Sequence, residues 1–207
     1  GDRTVRVMLT RGAGDLALVP NAPFAPTRVV LVDALRAPPP EAYARGISLS
    51  ITSAPRPHDD TPASTAKVLR YVANMLAVAD ARKRGADEAL FVTPDGAILE
   101  GATSNFFLVV EGTLVTSPVS LGVLPGIVRA RVFELARRLG VPVEERAPRR
   151  EELGHASEAF ATSSLREVMP VTRIDGAPIG DGAPGPRTRQ IHAEFRRALP
   201  GRQVSYL

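Results

Sequence analysis

The sequence predicts an α+β fold, and three observations lead there. Residues 4–10, 27–32 and 47–53 carry strand composition before any long helix begins. Two long helical patterns, at 65–84 and from 127 to 139, sit among short strands joined by tight turns. Strands and helices come in runs, with no repeat and no regular one-for-one alternation of the doubly wound kind.

Each element has a local reason. A short helix is predicted near 40–44. Residues 55–62, rich in Pro and Asp, read as a polar loop. The helix over 65–84 places Leu69, Val72, Ala73, Leu76 and Ala79 at helical spacing, and Gly85 stops it. Strands at 89–93 and 97–99 flank the turn Pro94-Asp95-Gly96; strands at 105–110 and 113–116 flank Glu111-Gly112. A second helix opens after Pro125-Gly126, buries Val128, Val132, Leu135, Ala136 and Leu139, and ends at Gly140. Strands at 141–145, 158–162 and 168–174, the turn Asp175-Gly176 and a helix over 187–199 complete the chain.

A chain of 207 residues with 44% hydrophobic content can bury a sizeable core. With no Cys there is no disulfide and no thiolate zinc site. The net charge is only +4 and acids are interleaved with the arginines, so nothing points to nucleic acid. No apolar run is long enough to span a bilayer, and no signal peptide opens the chain. These features read as a cytoplasmic protein with neither a membrane nor a nucleic-acid partner. His58, His155 and His192 lack partners at metal-ligand spacing and read as surface or structural residues. The chain opens directly on strand-like residues, which would leave an uncovered edge, so we expect a segment ahead of Gly1 in the intact protein.

Four features can carry chemistry. Of 26 basic residues only Lys67 and Lys83 are lysines. Arginine stays protonated, whereas an amine can lose its proton and attack a carbonyl. Lys83 lies in a basic helix end, but Lys67 lies where polar loop gives way to apolar helix. Glu100 follows an apolar strand and precedes the small, hydroxyl-rich turn Gly101-Ala102-Thr103-Ser104. In Leu124-Pro125-Gly126-Ile127-Val128-Arg129, Gly126 permits close approach of a ligand. The free amides of Ile127 and Val128 favour an anion such as phosphate. Ser163 and Ser164 add hydroxyls at a strand end. Each has an ordinary alternative: a surface charge, a solvent-facing strand end, a plain helix entry, a turn.

In this order the segments Glu100-Gly101-x-x-x-Asn105-x-Phe107, Leu124-Pro125-Gly126-Ile127-x-Arg129 and Glu167-Val168-Met169-Pro170-Val171, with Asp175-Gly176 behind, resemble the fold-type IV, pyridoxal-phosphate-dependent enzymes. That family, the class IV aminotransferases, includes branched-chain and D-amino acid aminotransferases and 4-amino-4-deoxychorismate lyases. The resemblance runs from about Thr4 to about Phe195. It implies the large C-terminal cofactor-binding domain of that fold. Residues 1–207 would form one such domain, with about 61–207 as its core. The β-rich part at about 1–60 would complete it or lead from a missing N-terminal small domain. By resemblance, Lys67 forms the Schiff base with pyridoxal 5'-phosphate and moves the proton at Cα. Glu100 pairs with the pyridine nitrogen, Leu124 packs on the ring, and Thr103 lies near the cofactor face. The amides of Ile127 and Val128 bind the phosphate, Ser163 and Ser164 give further donors, and Gly126 belongs to the cofactor-binding set. Burial and the cofactor are expected to desolvate the Lys67 amine.

The departures are specific. Val128 stands where the family usually has Thr, so only its amide remains for phosphate. Arg70 stands three positions after the lysine, where many lyases and D-amino acid enzymes have Asn. Tyr71 comes one position earlier than the tyrosine of the branched-chain enzymes. No residue matches the phosphate arginine of the small domain. Arg70, Arg166 and Arg173 are candidates to meet a substrate carboxylate. The resemblance thus implies a homodimeric transaminase of small amino acids or amines and 2-oxo acids. Two alternatives stand beside it: 4-amino-4-deoxychorismate lyase, and a non-catalytic fragment.

Overall fold

Apolar runs too dense for a one-sided sheet assemble into the long central sheet. The computed structural model describes residues 1–19, 21, 23, 25–52 and 66–199. It divides into two compact units, Gly1–Ala37 and Pro38–Leu207. The first is an antiparallel hairpin of β1 (Arg3–Thr10) and β2 (Thr27–Ala34). Val5, Val7, Val30 and Val32 alternate onto one face of it and are exposed.

The second unit holds, in order, α1 (Pro40–Arg45), β3 (Ile47–Thr52), α2 (Val72–Lys83), β4 (Glu88–Val92), β5 (Ile98–Gly101), β6 (Asn105–Val110) and β7 (Thr113–Thr116). There follow α3 (Ile127–Arg138), β8 (Val143–Glu145), β9 (Glu158–Ser163), β10 (Glu167–Ile174), β11 (Ala177–Pro178) and α4 (Pro186–Arg197). Among the described residues these strands make one nine-stranded sheet, ordered β5-β4-β3-β10-β9-β6-β7-β8, with β11 on β10. β3 runs parallel to both β4 and β10, and β7 to β8; the other pairs are antiparallel. No helix among the described residues is long and apolar enough to cross a membrane.

The middle of the sheet is buried on both faces. Phe106 and Leu108 of β6 join Met169 and Val171 in one core cluster. Phe107, Val109, Phe160 and Val168 point the other way and pack with Val132 and Leu135 of α3 and Ile191 of α4. Phe107 and Phe160 stack with centroids 4.8 Å apart. Each such buried ring contributes about 1.5–3 kcal/mol. The alternation sets the face of the site residues. Asn105 shares the side of Phe107, and Thr162 is directly opposite it on β9.

Acidic side chains complete this packing. Glu158 on β9 accepts hydrogen bonds from the amides of Arg187 and Thr188 at 2.8 and 2.7 Å, which caps α4 from a strand it packs on. Gly185 is required beside it, because a Cβ there would collide with the Glu158 carboxyl group. Glu167 opens β10 with φ 53° and is buried. His192 and Arg196 of α4 reach its carboxylate at 2.9 and 2.7 Å, and Tyr43 of α1 stacks on His192.

The structure departs from the sequence reading at the first long helix. α2 begins at Val72, not near 65. The amide of Val68 donates to Ala66 at 2.9 Å, a turn too tight for a helix, and Tyr71 at the N-cap makes no side-chain cap. The predicted stripe is not buried: Leu69, Val72 and Leu76 are exposed, and α2 buries Ala77 and Ala81 instead. Those small side chains let the helix approach β4 closely, leaving the larger ones outward. Glu100 lies inside β5 rather than after it, β8 starts two residues late, and a 3₁₀ turn at Arg150–Gly154 stands where the sequence shows no element. The polar loop at 55–62, with His58, and the ends of the predicted elements at 53 and 65 fall outside the described residues.

Burial pushes the Glu167 carboxyl up, but hydrogen bonds from His192 and Arg196 and the Arg196 charge outweigh it and hold the group at about 2, below its ordinary 4.5. A carboxylate held low stabilises the fold fully above pH 4.5, and the contribution is lost as the pH falls toward 2. In urea melts across that window we expect Glu167→Gln to be about 2 kcal/mol less stable than wild type at pH 7. The difference shrinks at the acid end; a gap unchanged with pH would disprove the ion-pair origin.

Candidate functional site

The residues singled out from the sequence come together along one cavity of about 1000 Å³ in the second unit. Lys67, Glu100, Thr103, Leu124, Gly126, Ile127, Val128, Ser163 and Ser164 all line it. Tyr71, Asn105 and Thr162 join them.

The carboxylate is built most firmly. Glu100 is buried near the end of β5. Its Oε2 accepts from Asn105 Nδ2 at 2.9 Å and from the Leu124 amide at 3.1 Å. The Asn105 amide also donates to the Leu124 carbonyl at 2.7 Å. Both acceptors face one nitrogen, so the amide orientation is fixed by its neighbours. Gly126 then passes so close that a Cβ on it would collide with Asn105 Oδ1. On sequence grounds Gly126 admits a ligand; here a side chain of the protein occupies that space.

The turn between Glu100 and Asn105 is held from below by Glu88 on β4, which is 1% exposed. Glu88 Oε1 accepts from the Thr103 amide at 2.6 Å, the Thr103 hydroxyl at 2.9 Å and the Ser104 hydroxyl at 3.1 Å. Arg166, on the turn between β9 and β10, pairs with Glu88 at 2.5 Å and donates to the Thr103 hydroxyl. Thr103 therefore lines the cavity with its hydroxyl already engaged.

α3 opens at Ile127 with Gly126 as N-cap and no side-chain cap. The first intrahelical bond is from Ala130 to the Gly126 carbonyl, so the amides of the first turn precede the helix's own ladder. Val128 is buried and Ile127 is 83% exposed. Arg129 of the same motif does not face the cavity. It is buried, donates to the Ser117 carbonyl at 3.0 Å and pairs with Glu145 at 2.8 Å, fixing the helix entry. Ser163 accepts from the Arg166 amide at 3.3 Å, and Ser164 is exposed.

Lys67 sits in the irregular segment before α2, and its Nζ donates to the Tyr71 hydroxyl at 2.9 Å. It is exposed, so the described residues do not supply the desolvation expected for it. Of the three arginines considered for a substrate carboxylate, only Arg70 lines the cavity. Arg166 is committed to Glu88, and Arg173 donates to Gly176.

Sequence reasoning assigns no role to Asn105, Tyr71 or Thr162. Asn105 is visible as the fixed asparagine of its motif, but its role needs the turn geometry. Tyr71 is marked only by standing one place early. Thr162 carries no signal; it is a buried hydroxyl for which the described residues supply no partner.

The chain is similar to known proteins. The chain is 36% identical over 156 residues to the branched-chain-amino-acid aminotransferase of Escherichia coli K12, covering 75% of this chain and 50% of that one. It is 34% identical over 197 residues to a putative branched-chain-amino-acid aminotransferase of Methanocaldococcus jannaschii, covering 94% and 67%. The solved branched-chain aminotransferase of Escherichia coli superposes with a TM-score of 0.88 at 31% identity, over 94% of this chain and 64% of that one. That of T.th., solved with pyridoxamine 5'-phosphate, gives 0.87 at 33%, over 97% and 66%. The chain thus spans about half to two thirds of the length of these relatives. The family model for amino-transferase class IV matches residues 1–174, and the chain belongs to that family.

Proposed function

We propose that this chain is the cofactor-binding part of a pyridoxal-phosphate-dependent aminotransferase. It moves an amino group between a small aliphatic amino acid, of branched-chain type, and a 2-oxo acid, as a homodimer. One observation carries the reading: a single cavity is lined by Lys67, a buried carboxylate and the first turn of α3. The branched-chain relatives support the substrate class. So does the apolar lining from Val72, Leu76, Leu124 and Val128.

The residues present fit pyridoxal 5'-phosphate. Lys67 offers the amine, Glu100 a carboxylate with a fixed orientation, and the buried Thr162 hydroxyl a polar group for which the described residues supply no partner. When bound, the cofactor supplies an electron-withdrawing ring that stabilises negative charge at the substrate Cα. Glu100 would keep a proton on the ring nitrogen, since a carboxylate beside it favours the charged form. The amides of Ile127 and Val128, with Ser163 and Ser164, would hold the phosphate at the positive end of α3. The Lys67 amine would attach the cofactor, then take the proton from Cα and return it. Tyr71 holds the lysine's direction through its hydroxyl.

The lyase alternative is not taken forward, because the relatives described above are aminotransferases. Incubation with aminodeoxychorismate and no 2-oxo acid keeps it accountable: release of 4-aminobenzoate would overturn the transaminase reading. With leucine or valine and 2-oxoglutarate we expect turnover. Borohydride reduction of the cofactor-loaded protein followed by peptide mapping should place the label on Lys67. Lys67→Ala should abolish both turnover and label, and Lys83→Ala should change neither. A label on Lys83, or none, would remove the assigned amine. Glu100→Gln should keep the label and lower kcat by about 100-fold or more. Sedimentation should show two copies per particle; a monomer with full activity would end the dimer proposal.

A further inference from the structure

Asn105 contacts three residues that line the cavity, Glu100, Leu124 and Gly126. Its Nδ2 bridges Glu100 Oε2 at 2.9 Å and the Leu124 carbonyl at 2.7 Å, while the Leu124 amide closes the triangle onto Glu100 at 3.1 Å. Its Oδ1 lies against Gly126, the residue that admits the chain into α3. The side chain is 5% exposed, so these bonds form away from bulk water, where a lost partner is costly. Both its amide protons are used, each by an acceptor; an aspartate of the same shape would offer an oxygen to two oxygens.

We propose that Asn105 is a positioning residue. It locks the Glu100 carboxylate to the backbone at Leu124 and Gly126, so that the carboxylate and the α3 entrance keep a fixed separation. This rests on the cofactor reading above. Glu100 has two carboxylate oxygens, and the lock holds Oε2 in place, which sets the direction in which the group as a whole presents itself to the cavity. Without Asn105, Glu100 Oε2 keeps the Leu124 amide but loses the side-chain donor that ties it to the Leu124 carbonyl. A carboxylate held by fewer donors spends less time aligned with a ring nitrogen, and affinity falls with that fraction.

The test is a double-mutant cycle on the full chain, read by pyridoxal phosphate affinity from absorbance titration and by thermal melts of the cofactor-free protein. We expect Asn105→Ala to weaken pyridoxal phosphate binding by about 10- to 100-fold in the Glu100 background. In the Glu100→Gln background the same change should cost less than about threefold, because the oriented charge is already gone. A loss of equal size in both backgrounds makes Asn105 a packing residue and overturns the proposal. So does a loss that tracks the melting temperature of the cofactor-free variants. Asn105→Asp serves as the shape-preserving variant. It should weaken binding at least as much as Asn105→Ala, and wild-type affinity in it would overturn the lock. Failure of the wild-type chain to take the cofactor on Lys67 would instead reject the cofactor reading itself.

Discussion

A buried carboxylate that does not line the cavity holds the candidate site together. Glu88 on β4 accepts hydrogen bonds from Thr103 and Ser104 and pairs with Arg166. The turn it grips joins β5, which carries Glu100, to β6, which begins with Asn105. A turn this small and polar would otherwise sample several conformations, each giving Glu100 and Asn105 a different separation. A charge at 1% exposure is tolerable only with this many partners. Through Arg166 the β9–β10 turn, which follows Ser163, is tied to Glu88 and to the turn at Thr103. Gly101 is part of this arrangement: a Cβ there would collide with the Ser104 hydroxyl and the Glu88 carboxylate.

Most strands are legible in the sequence because their apolar runs are dense and their turns are marked by Gly, Pro or Asp. The sequence places a strand over 105–110, and in the structure Phe106 to Val109 is buried on both faces of the sheet. α3 is equally plain, since Val128, Val132 and Leu135 repeat with the helical period and do face the core. α2 misleads for a physical reason. Its large apolar side chains also repeat with that period, but the contact with β4 is made by Ala77 and Ala81. Periodicity reports that a face exists, not what it meets. Two of those larger residues, Val72 and Leu76, line the cavity instead of the core.

The candidate site is legible in membership but less so in division of labour. Motif residues look alike in a sequence, yet Arg129 and Gly126 serve the frame. Arg129 anchors α3 to Ser117 and Glu145, and Gly126 makes room for Asn105. Thr103 has its hydroxyl drawn toward Glu88 and Arg166. Such roles depend on distances between segments far apart in the chain, Glu88 to Arg166 being the widest. No local pattern encodes them.

The irregular segment before α2 shapes what its lysine can do. Had the helix begun near residue 65, Lys67 would have belonged to its first turn, its direction fixed by the helix. The tight turn at Ala66–Val68 instead leaves Lys67 on a stretch whose backbone is not committed to a ladder. In the role proposed for it the amine would bond to a cofactor, release it to a substrate and carry a proton between two atoms, so a fixed direction would hinder it. The link to Tyr71 at 2.9 Å gives it a resting direction without a rigid one. The scarcity of lysine acquires a physical sense here. A guanidinium at this place would hold its charge and its hydrogen bonds, but it could neither form the bond nor give up the proton.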